Sequence, residues 1–465
     1  MLIAFLIVIA LSLALVLVAR HGHGTGGAHD FFIAGRQLGP VLVFFLSVGE
    51  TYSIASMLGF PGGVYARGDA ISTWFFGYVL LISPVVFAVG PWIWRAGALY
   101  RAATMPDVFR AHFDSRPLEV LLALSSIVLL VPIGTMQVLG LRIVLGDLAP
   151  GVAPMVLTGL AGLMAFAYVA TAGLRGSAFV AVLKDVLMIG AILLVSGAAL
   201  AHWSTGMAPA AYHPAPVTRP ADIHFALSTI VLQSVAYAMI PQTWTFIFSA
   251  RSPMALRRSQ IPAPLYMLMF PPLMLTANYA LTHALVPPTP DHVFLTVSAA
   301  LVPGWAHGLV LASVTLAGLV VLSSVCLAIG PLVSRNLVPG LGEAAQQRGA
   351  KLVTALYLLL CVVGAGTSTS LIATLNTVFY VGVAQTLPAF VAALWSGRTP
   401  ARAVIAGMLA GDAAASLIVG SGMDVGGVNP GMVALIPNVA VMAAWTALAP
   451  RRDGRSMLAR LRGTV

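Results

Sequence analysis

Residues 40–68 read PVLVFFLSVGETYSIASMLGFPGGVYARG, an apolar stretch that is long enough to cross a bilayer but is interrupted at its centre. The interruption is the polar segment GETYS at residues 49–53. A helix broken at membrane depth exposes backbone N–H and C=O groups, which persist only where they line a cavity or bind something. The stretch therefore predicts a broken transmembrane helix that contributes to a binding site.

A second interrupted stretch follows at residues 221–252, ADIHFALSTIVLQSVAYAMIPQTWTFIFSARS. Interrupted segments at corresponding positions of two halves are typical of transporters that bind their solute near the bilayer midplane. Ordinary kinking at Gly or Pro is the alternative, and the pairing of two breaks favours the binding site. The polar residues and the proline near the second break are Gln233, Ser234, Tyr237, Pro241, Gln242 and Thr243.

The composition places the whole chain in the membrane. It has 465 residues, of which 59% are hydrophobic and 8% are charged, whereas soluble domains carry about 25% charged residues. Each span needs about 20 apolar residues, which predicts an all-α integral membrane protein with about thirteen transmembrane helices. The predicted spans are 2–19, 39–66, 71–95, 117–145, 151–171, 177–201, 222–248, 261–286, 305–334, 351–371, 374–396, 401–420 and 430–449.

The two interrupted spans are the second and the seventh, so they lie five apart. Spans two to six and seven to eleven would then form two repeats, at about 39–201 and about 222–396. Helix 2–19 would be peripheral to them, and the helices within 401–449 would be additional. We expect a single transmembrane domain, because no gap is long enough for a soluble one.

The basic residues predict the orientation in the membrane. Of the 24 Lys and Arg, 20 lie in the odd-numbered gaps and in the tail after the last span. Only Arg67 and Arg219 lie in the even-numbered gaps, and Arg142 and Lys184 lie inside spans. Because positive loops stay cytoplasmic, we expect the N-terminus outside and the C-terminus inside. The use of 22 Arg against two Lys is typical of GC-rich bacteria, so a bacterial inner (plasma) membrane is expected.

Several motifs in order resemble the sodium:solute symporter family over nearly the whole chain. They are DFFIAGRQLGP (30–40), LGFPGGVYARG (58–68), TMPDVFRAHFDSR (104–116) and VPIGTMQVLGLR (131–142). The resemblance implies a five-plus-five inverted repeat with broken first and sixth core helices. Within the family, the segments at 172–188, 240–266 and 331–336 are most similar to a monocarboxylate permease-like branch.

The resemblance also implies a cation site, and here the chain departs from the family. Sodium is held there by backbone carbonyls, which match Gly49 and Tyr52, and by hydroxyls of the eighth core helix. The corresponding positions of that helix are Ala317, Val320 and Val321, so the two hydroxyl positions are valines and the sodium site looks degenerate. A shifted register would recruit other hydroxyls of the helix, which are Ser313, Thr315, Ser323 and Ser324.

Lys184, next to Asp185 in the sixth span, offers a replacement for the cation. A charge at membrane depth is costly and usually faces a partner or a cavity, and related proton-coupled permeases can place a lysine amine where sodium would sit. Three interpretations stay open: Lys184 replaces sodium and makes the coupling proton-driven or absent, it snorkels to the cytoplasmic interface, or a sodium site exists elsewhere.

The resemblance places the solute among core helices one, three, six and ten. Half-helix N-termini at the breaks offer free N–H groups that suit a carboxylate. Glu50 could take part in proton coupling or form an ion pair with Lys184 or Arg142. The candidate solute contacts are Glu50, Thr51, Ser53, Gln137, Tyr237, Gln242, Trp244, Tyr380 and Gln385.

Other function classes are disfavoured. No GxxxxGK[ST] or HExxH sequence occurs, so neither ATP-driven transport nor a zinc peptidase is expected. The net charge of +10 is assigned to topology and not to nucleic-acid binding. We expect a non-enzymatic secondary transporter of a small organic solute, such as a monocarboxylate, that works by alternating access. It would need no cofactor and no obligate protein partner, and the coupling ion is a proton or sodium. The alternative is a sodium-coupled symporter of another nutrient, such as an amino acid or a vitamin.

Overall fold

The computed structural model describes residues 1–20, 34–68, 70–203, 220–338, 340, 342–368, 371–450 and 454–462. Within these ranges the chain is helical and forms no β-strand. In chain order the α-helices are α1 (Leu2–Arg20), α2 (Pro40–Thr51), α3 (Phe60–Arg67), α4 (Ala70–Leu99), α5 (Met105–Phe113), α6 (Arg116–Leu148), α7 (Pro154–His202), α8 (Pro220–Ala236), α9 (Pro241–Ser249), α10 (Pro253–Gln260), α11 (Phe270–Thr282), α12 (Val293–Leu301), α13 (Gly304–Pro331), α14 (Glu343–Thr367), α15 (Ile372–Val383), α16 (Leu387–Trp395), α17 (Ala401–Ser421), α18 (Pro430–Leu448) and α19 (Met457–Arg462).

The all-helical membrane class is confirmed. In the described part of the chain, eight helices are long and apolar enough to cross a membrane, and a bent pair would make a ninth. Shorter apolar helices cover Leu2–Val18, Pro40–Gly49 and Pro154–Val169. The count of thirteen spans and the inverted repeat stay predictions.

The fifth and sixth predicted spans fall in one helix. The helical assignment of α7 runs through 49 residues, and its apolar parts are Pro154–Val169 and Gly176–His202. A straight helix of that length would extend about 74 Å, more than twice the thickness of the hydrocarbon core. The predicted boundary between 171 and 177 is therefore absent from the structure, and the division of this helix into two spans stays a prediction.

The eighth predicted span, 261–286, is also not one regular helix. It starts with a 3₁₀ segment at Ala263–Met269 and becomes α-helical only in α11. The prolines at 262, 264, 271 and 272 explain this irregularity, because proline has no N–H to donate to the i−4 carbonyl and clashes with it.

On the side of the bundle that carries the basic loops, the two broken helices are joined by backbone hydrogen bonds. The N–H of Leu38, which precedes α2, donates to the Ser249 carbonyl at 3.0 Å, and the Arg251 N–H donates to the Leu38 carbonyl at 2.9 Å. The indole N–H of Trp94 donates to the Ala250 carbonyl at 2.7 Å. The start of α2 and the end of α9 are thus held together on this side.

On the opposite side, Asp291 holds the start of α15. Its Oδ2 accepts the Ile372 N–H at 3.1 Å, which satisfies a free donor of the helix N-terminus. A Cβ added to Gly62 in α3 would lie 2.7 Å from the Asp291 Cα, so this close approach requires glycine. The Asp291 carboxylate therefore fixes the loop before α12 against both α3 and α15.

Asp291 predicts a pH dependence of stability. Burial raises the pKa of its carboxyl to about 6, although the Ile372 N–H and Arg67 act in the opposite direction. The folded state therefore binds a proton more tightly than the unfolded state, so stability rises as the pH falls from above 6 towards the unfolded pKa of 3.8. The ionised carboxylate costs about 3 kcal/mol at neutral pH. We expect a higher thermal midpoint at pH 5 than at pH 7.5, and Asp291→Asn should reduce this difference.

The matched control is Asp424→Asn, which changes an exposed carboxylate on the same side of the bundle. It should leave the difference between the two midpoints unaltered. An Asp291→Asn protein with the full wild-type difference would show that another group carries the pH dependence.

Candidate functional site

Both predicted helix breaks are present. α2 ends at Thr51, and Tyr52 leaves the helical region with φ −102° and ψ 86°. The α8–α9 pair bends by 55°, and Ile240 at the junction is extended with φ −69° and ψ 130°. Pro241 explains the second break, because a residue before proline avoids the α-helical region while proline itself suits the first helical position.

The carbonyl freed at the first break binds the side chain of Lys184. Lys184 Nζ donates to the Tyr52 carbonyl oxygen at 3.0 Å and lies 2.6 Å from Oδ1 of Asp185. The Lys184 side chain is 0% exposed, so the alternative that it snorkels to the interface is wrong. A buried ammonium needs a charged partner and further hydrogen bonds, and Asp185 and Tyr52 provide them.

Two further residues predicted for the cation site, Gly49 and Val320, lie close to this amine. A Cβ placed on Gly49 would lie 3.7 Å from Lys184 Nζ and 3.7 Å from Cγ1 of Val320 in α13. Val320 therefore presents a methyl group where the family pattern has a hydroxyl, and Ala317 and Val321 are buried on the same helix. The ammonium therefore lies beside the break in α2, close to Gly49 and Tyr52.

The other hydroxyls of α13 are bonded within the protein. Ser313 donates to Val310 O, Thr315 to Leu311 O and Ser324 to Val321 O. Ser323 Oγ pairs with Ser177 Oγ at 2.6 Å. These bonds use the hydroxyl protons and leave oxygen lone pairs for a cation, so the alternative of a shifted register stays open. No three His, Cys, Asp or Glu side chains of the described residues form a metal site.

A small cavity lies between the two breaks. Its volume is about 20 Å³, which is room for about one or two water molecules. Five of the nine predicted solute contacts line this cavity. The full lining is Thr51, Ser53, Ala55, Tyr78, Ile133, Met136, Tyr237, Ile240, Gln242, Thr243, Asn376, Phe379 and Tyr380.

Three predicted contacts lie elsewhere, and the side chain of Glu50 is outside the described residues. Trp244 is buried, and its indole N–H donates to the Ala238 carbonyl at 2.8 Å. The Gln385 amide donates to the carbonyls of Val381 and Gly431, so it braces α15 against α18. Gln137 is buried, does not line the cavity and has no hydrogen-bond partner for its amide atoms.

The predicted solute contacts did not include three polar lining residues, Tyr78, Thr243 and Asn376, although Thr243 was named among the polar residues at the second break. Thr243 directly follows the predicted contact Gln242, which is a signal that was available. Tyr78 lies in an apolar run of α4, whereas Asn376 stands between Thr374 and Thr377 in α15. The Asn376 amide donates to the Tyr78 hydroxyl at 3.4 Å. Only the packing of the helices shows that these two side chains reach the cavity.

Comparisons with known proteins give consistent matches. The model of the sodium:solute symporter family matches residues 31–411. A monocarboxylate transport permease protein of Rhizobium johnstonii is 27% identical, with 97% of this chain and 96% of that protein covered. An uncharacterized symporter of Bacillus subtilis is 25% identical, with 89% and 90% covered. A solved structure of a Na⁺-coupled sialic acid symporter, substrate-bound and outward-open, shares the fold with a TM-score of 0.76 at 16% identity, with 97% and 98% covered.

The burial of Lys184 predicts its chemical reactivity. The chain has only two lysines, and Lys351 is exposed. A water-soluble amine-methylating reagent should modify Lys351 rapidly and Lys184 at least about tenfold more slowly, because desolvation and the ion pair protect its amine. Peptide mass spectrometry of the purified protein measures both rates, and Lys351 is the internal control. Equal rates would mean that Lys184 reaches the interface.

Proposed function

The chain belongs to the sodium:solute symporter family, and from this premise we propose that it is a secondary transporter of a small monocarboxylate whose coupling ion is the proton. Its family and its relatives are transporters and not enzymes, and the chain is a multi-pass membrane protein. We further propose the plasma membrane as its location, with the N-terminus outside and the C-terminus in the cytoplasm, from the distribution of its Lys and Arg.

The position of Lys184 carries the proposal on the coupling ion. Its ammonium donates to the Tyr52 carbonyl, which is one of the oxygens that would otherwise coordinate sodium. A sodium ion about 4 Å from the ammonium would be repelled by about 4 kcal/mol at an effective dielectric constant of about 20. The fixed amine thus supplies the positive charge that the freed carbonyls of α2 require, and it opposes binding of a metal cation.

Proton coupling follows from the chemistry of a buried lysine. A lysine amine can release and regain its proton when it is buried. In the charged form, Lys184 links α7 to the end of α2 through Tyr52. In the neutral form the amine loses its attraction to Asp185 and much of its bond to the carbonyl, so α2 becomes freer to move. Protonation of one amine would thereby bias which side of the bundle is open.

The monocarboxylate is supported by the Rhizobium relative, whose name states that class of solute and which aligns over nearly the full length of both chains. Polar and apolar side chains both line the cavity, as expected for a short organic acid. A sodium-coupled symporter of another nutrient is the second candidate, because the Gly49 and Tyr52 backbone positions of the family's cation site are retained.

Uptake under separate gradients tests the coupling ion. Proteoliposomes with the full chain should accumulate labelled pyruvate several-fold when the outside is acidic, and a sodium gradient at equal pH should add nothing, because the ammonium occupies the cation position. Protein-free liposomes and addition of a protonophore are the controls. Accumulation that follows the sodium gradient at constant pH would contradict the proposal.

Lys184→Met should separate coupling from solute movement. The substitution keeps an unbranched side chain but removes the charge, so proton-driven accumulation should fall by about tenfold or more, while pyruvate exchange without a gradient should persist. Lys351→Met is the matched control and should resemble the wild type. Because Lys184→Met leaves Asp185 unpaired, the double variant Lys184→Met/Asp185→Asn keeps the test valid if the single variant is unstable. Normal proton-driven accumulation in a folded variant would exclude Lys184 from coupling.

A further inference from the structure

The first turn of α9 presents donors that have no partner in the protein. Pro241 has no N–H, and the Trp244 N–H donates to the Ile240 carbonyl at 3.3 Å. The N–H groups of Gln242 and Thr243 are left, and among the described residues neither donates to another group. The first N–H groups of a helix also carry the positive end of its dipole.

The side chain of Thr243 is a second and independent observation at the same place. It is 0% exposed, and its Oγ1 has no hydrogen-bond partner although it lines the cavity. Two residues further on, Thr245 Oγ1 donates to the carbonyl of Pro241, which is the usual bond of a helical threonine. A buried hydroxyl without a bond is unfavourable, so Thr243 is expected to bond a group that enters the cavity.

The two helix ends at the cavity differ in the sign of their dipole. The carbonyl end of α2 lies on one side, and Lys184 already compensates it through Tyr52. The N-terminus of α9 lies on the other side and faces no anionic side chain among the described lining residues. An anionic group of a solute is therefore stabilised at α9 and not at α2.

We propose that Gln242 and Thr243 form the subsite for the carboxylate of the solute. Both backbone N–H groups and the Thr243 hydroxyl donate to its oxygens, and Ile133, Met136 and Phe379 receive the short hydrocarbon part. This assignment rests on the proposed function, since it specifies how the transported acid is recognised. It makes Thr243 a residue that distinguishes acids from neutral compounds of the same shape.

The test pairs each acid with its uncharged amide. Binding of acetate, propionate, L-lactate and pyruvate, and of their primary amides, is measured by calorimetry on the purified full-length protein. We expect at least one acid to bind about tenfold or more tightly than its amide, because a hydrogen bond to a charged group is stronger than one to a neutral group. Thr243→Val should remove most of this preference by weakening the acid and not the amide.

Two matched variants complete the design. Thr243→Ser keeps the hydroxyl and should retain the preference for the acid, which separates the loss of the donor from a folding defect. Thr245→Val removes a buried hydroxyl that is already bonded and should leave both affinities unchanged. Equal binding of acids and amides, binding of no acid, or an unaltered preference in Thr243→Val would each overturn the subsite.

Failure of the subsite can be told apart from failure of the proposed function. If neutral solutes are accumulated under a proton gradient, the coupling stands and the carboxylate subsite is wrong. If acids bind with the predicted dependence on Thr243 but a sodium gradient drives their accumulation, the subsite stands. The assignment of the proton as the coupling ion is then wrong.

Discussion

The hydrogen bond from Lys184 to the Tyr52 carbonyl is the interaction on which the site depends. A helix that stops at membrane depth leaves backbone groups without partners, and such a break persists only if something satisfies them. Lys184 does so from a different helix, and Asp185 balances its charge. The break in α2 and the buried ion pair are thus mutually necessary, since each would be unfavourable without the other.

The two breaks present different backbone groups to the cavity. The first break ends a helix and exposes carbonyl oxygens, whereas the second break begins a helix at Pro241 and exposes N–H groups. The amine of Lys184 bonds the carbonyl exposed at the first break. The N–H groups at the second break are therefore the ones available to a solute. In the proposed mechanism the first break holds the coupling group, Lys184, and the second break recognises the anion through Gln242 and Thr243.

The features that depend on a single stretch of sequence could be predicted from it. Both breaks could be predicted from local polar residues and from Pro241. The sequence also shows that Val320 stands where the family pattern has a hydroxyl. The burial of Lys184 could not be predicted, because snorkelling and burial differ only in which helices pack around the amine. Trp244 and Gln385 were placed in the site by their type and position, but their polar atoms bond carbonyls of neighbouring backbone. Thr243 was named among the polar residues of the second break but not among the solute contacts, because the missing bond of its hydroxyl is visible only in three dimensions.

The hydrogen bonds that join α2 to α9 and to α7 indicate how protonation of Lys184 would be converted into movement of these helices. At the basic side, Leu38 ties the start of α2 to the end of α9 by two backbone hydrogen bonds, so the two broken helices are expected to move together there. Lys184 belongs to α7, outside this pair, and its bond to Tyr52 crosses the boundary between them. Any displacement of the α2–α9 pair against α7 must lengthen that bond. A charged amine resists this displacement more strongly than a neutral one, because a charge-assisted hydrogen bond is the stronger kind. Under the proposed coupling, the proton on Lys184 would act on the relative position of the helices that enclose the solute, and Lys184 is not among the residues that line the cavity.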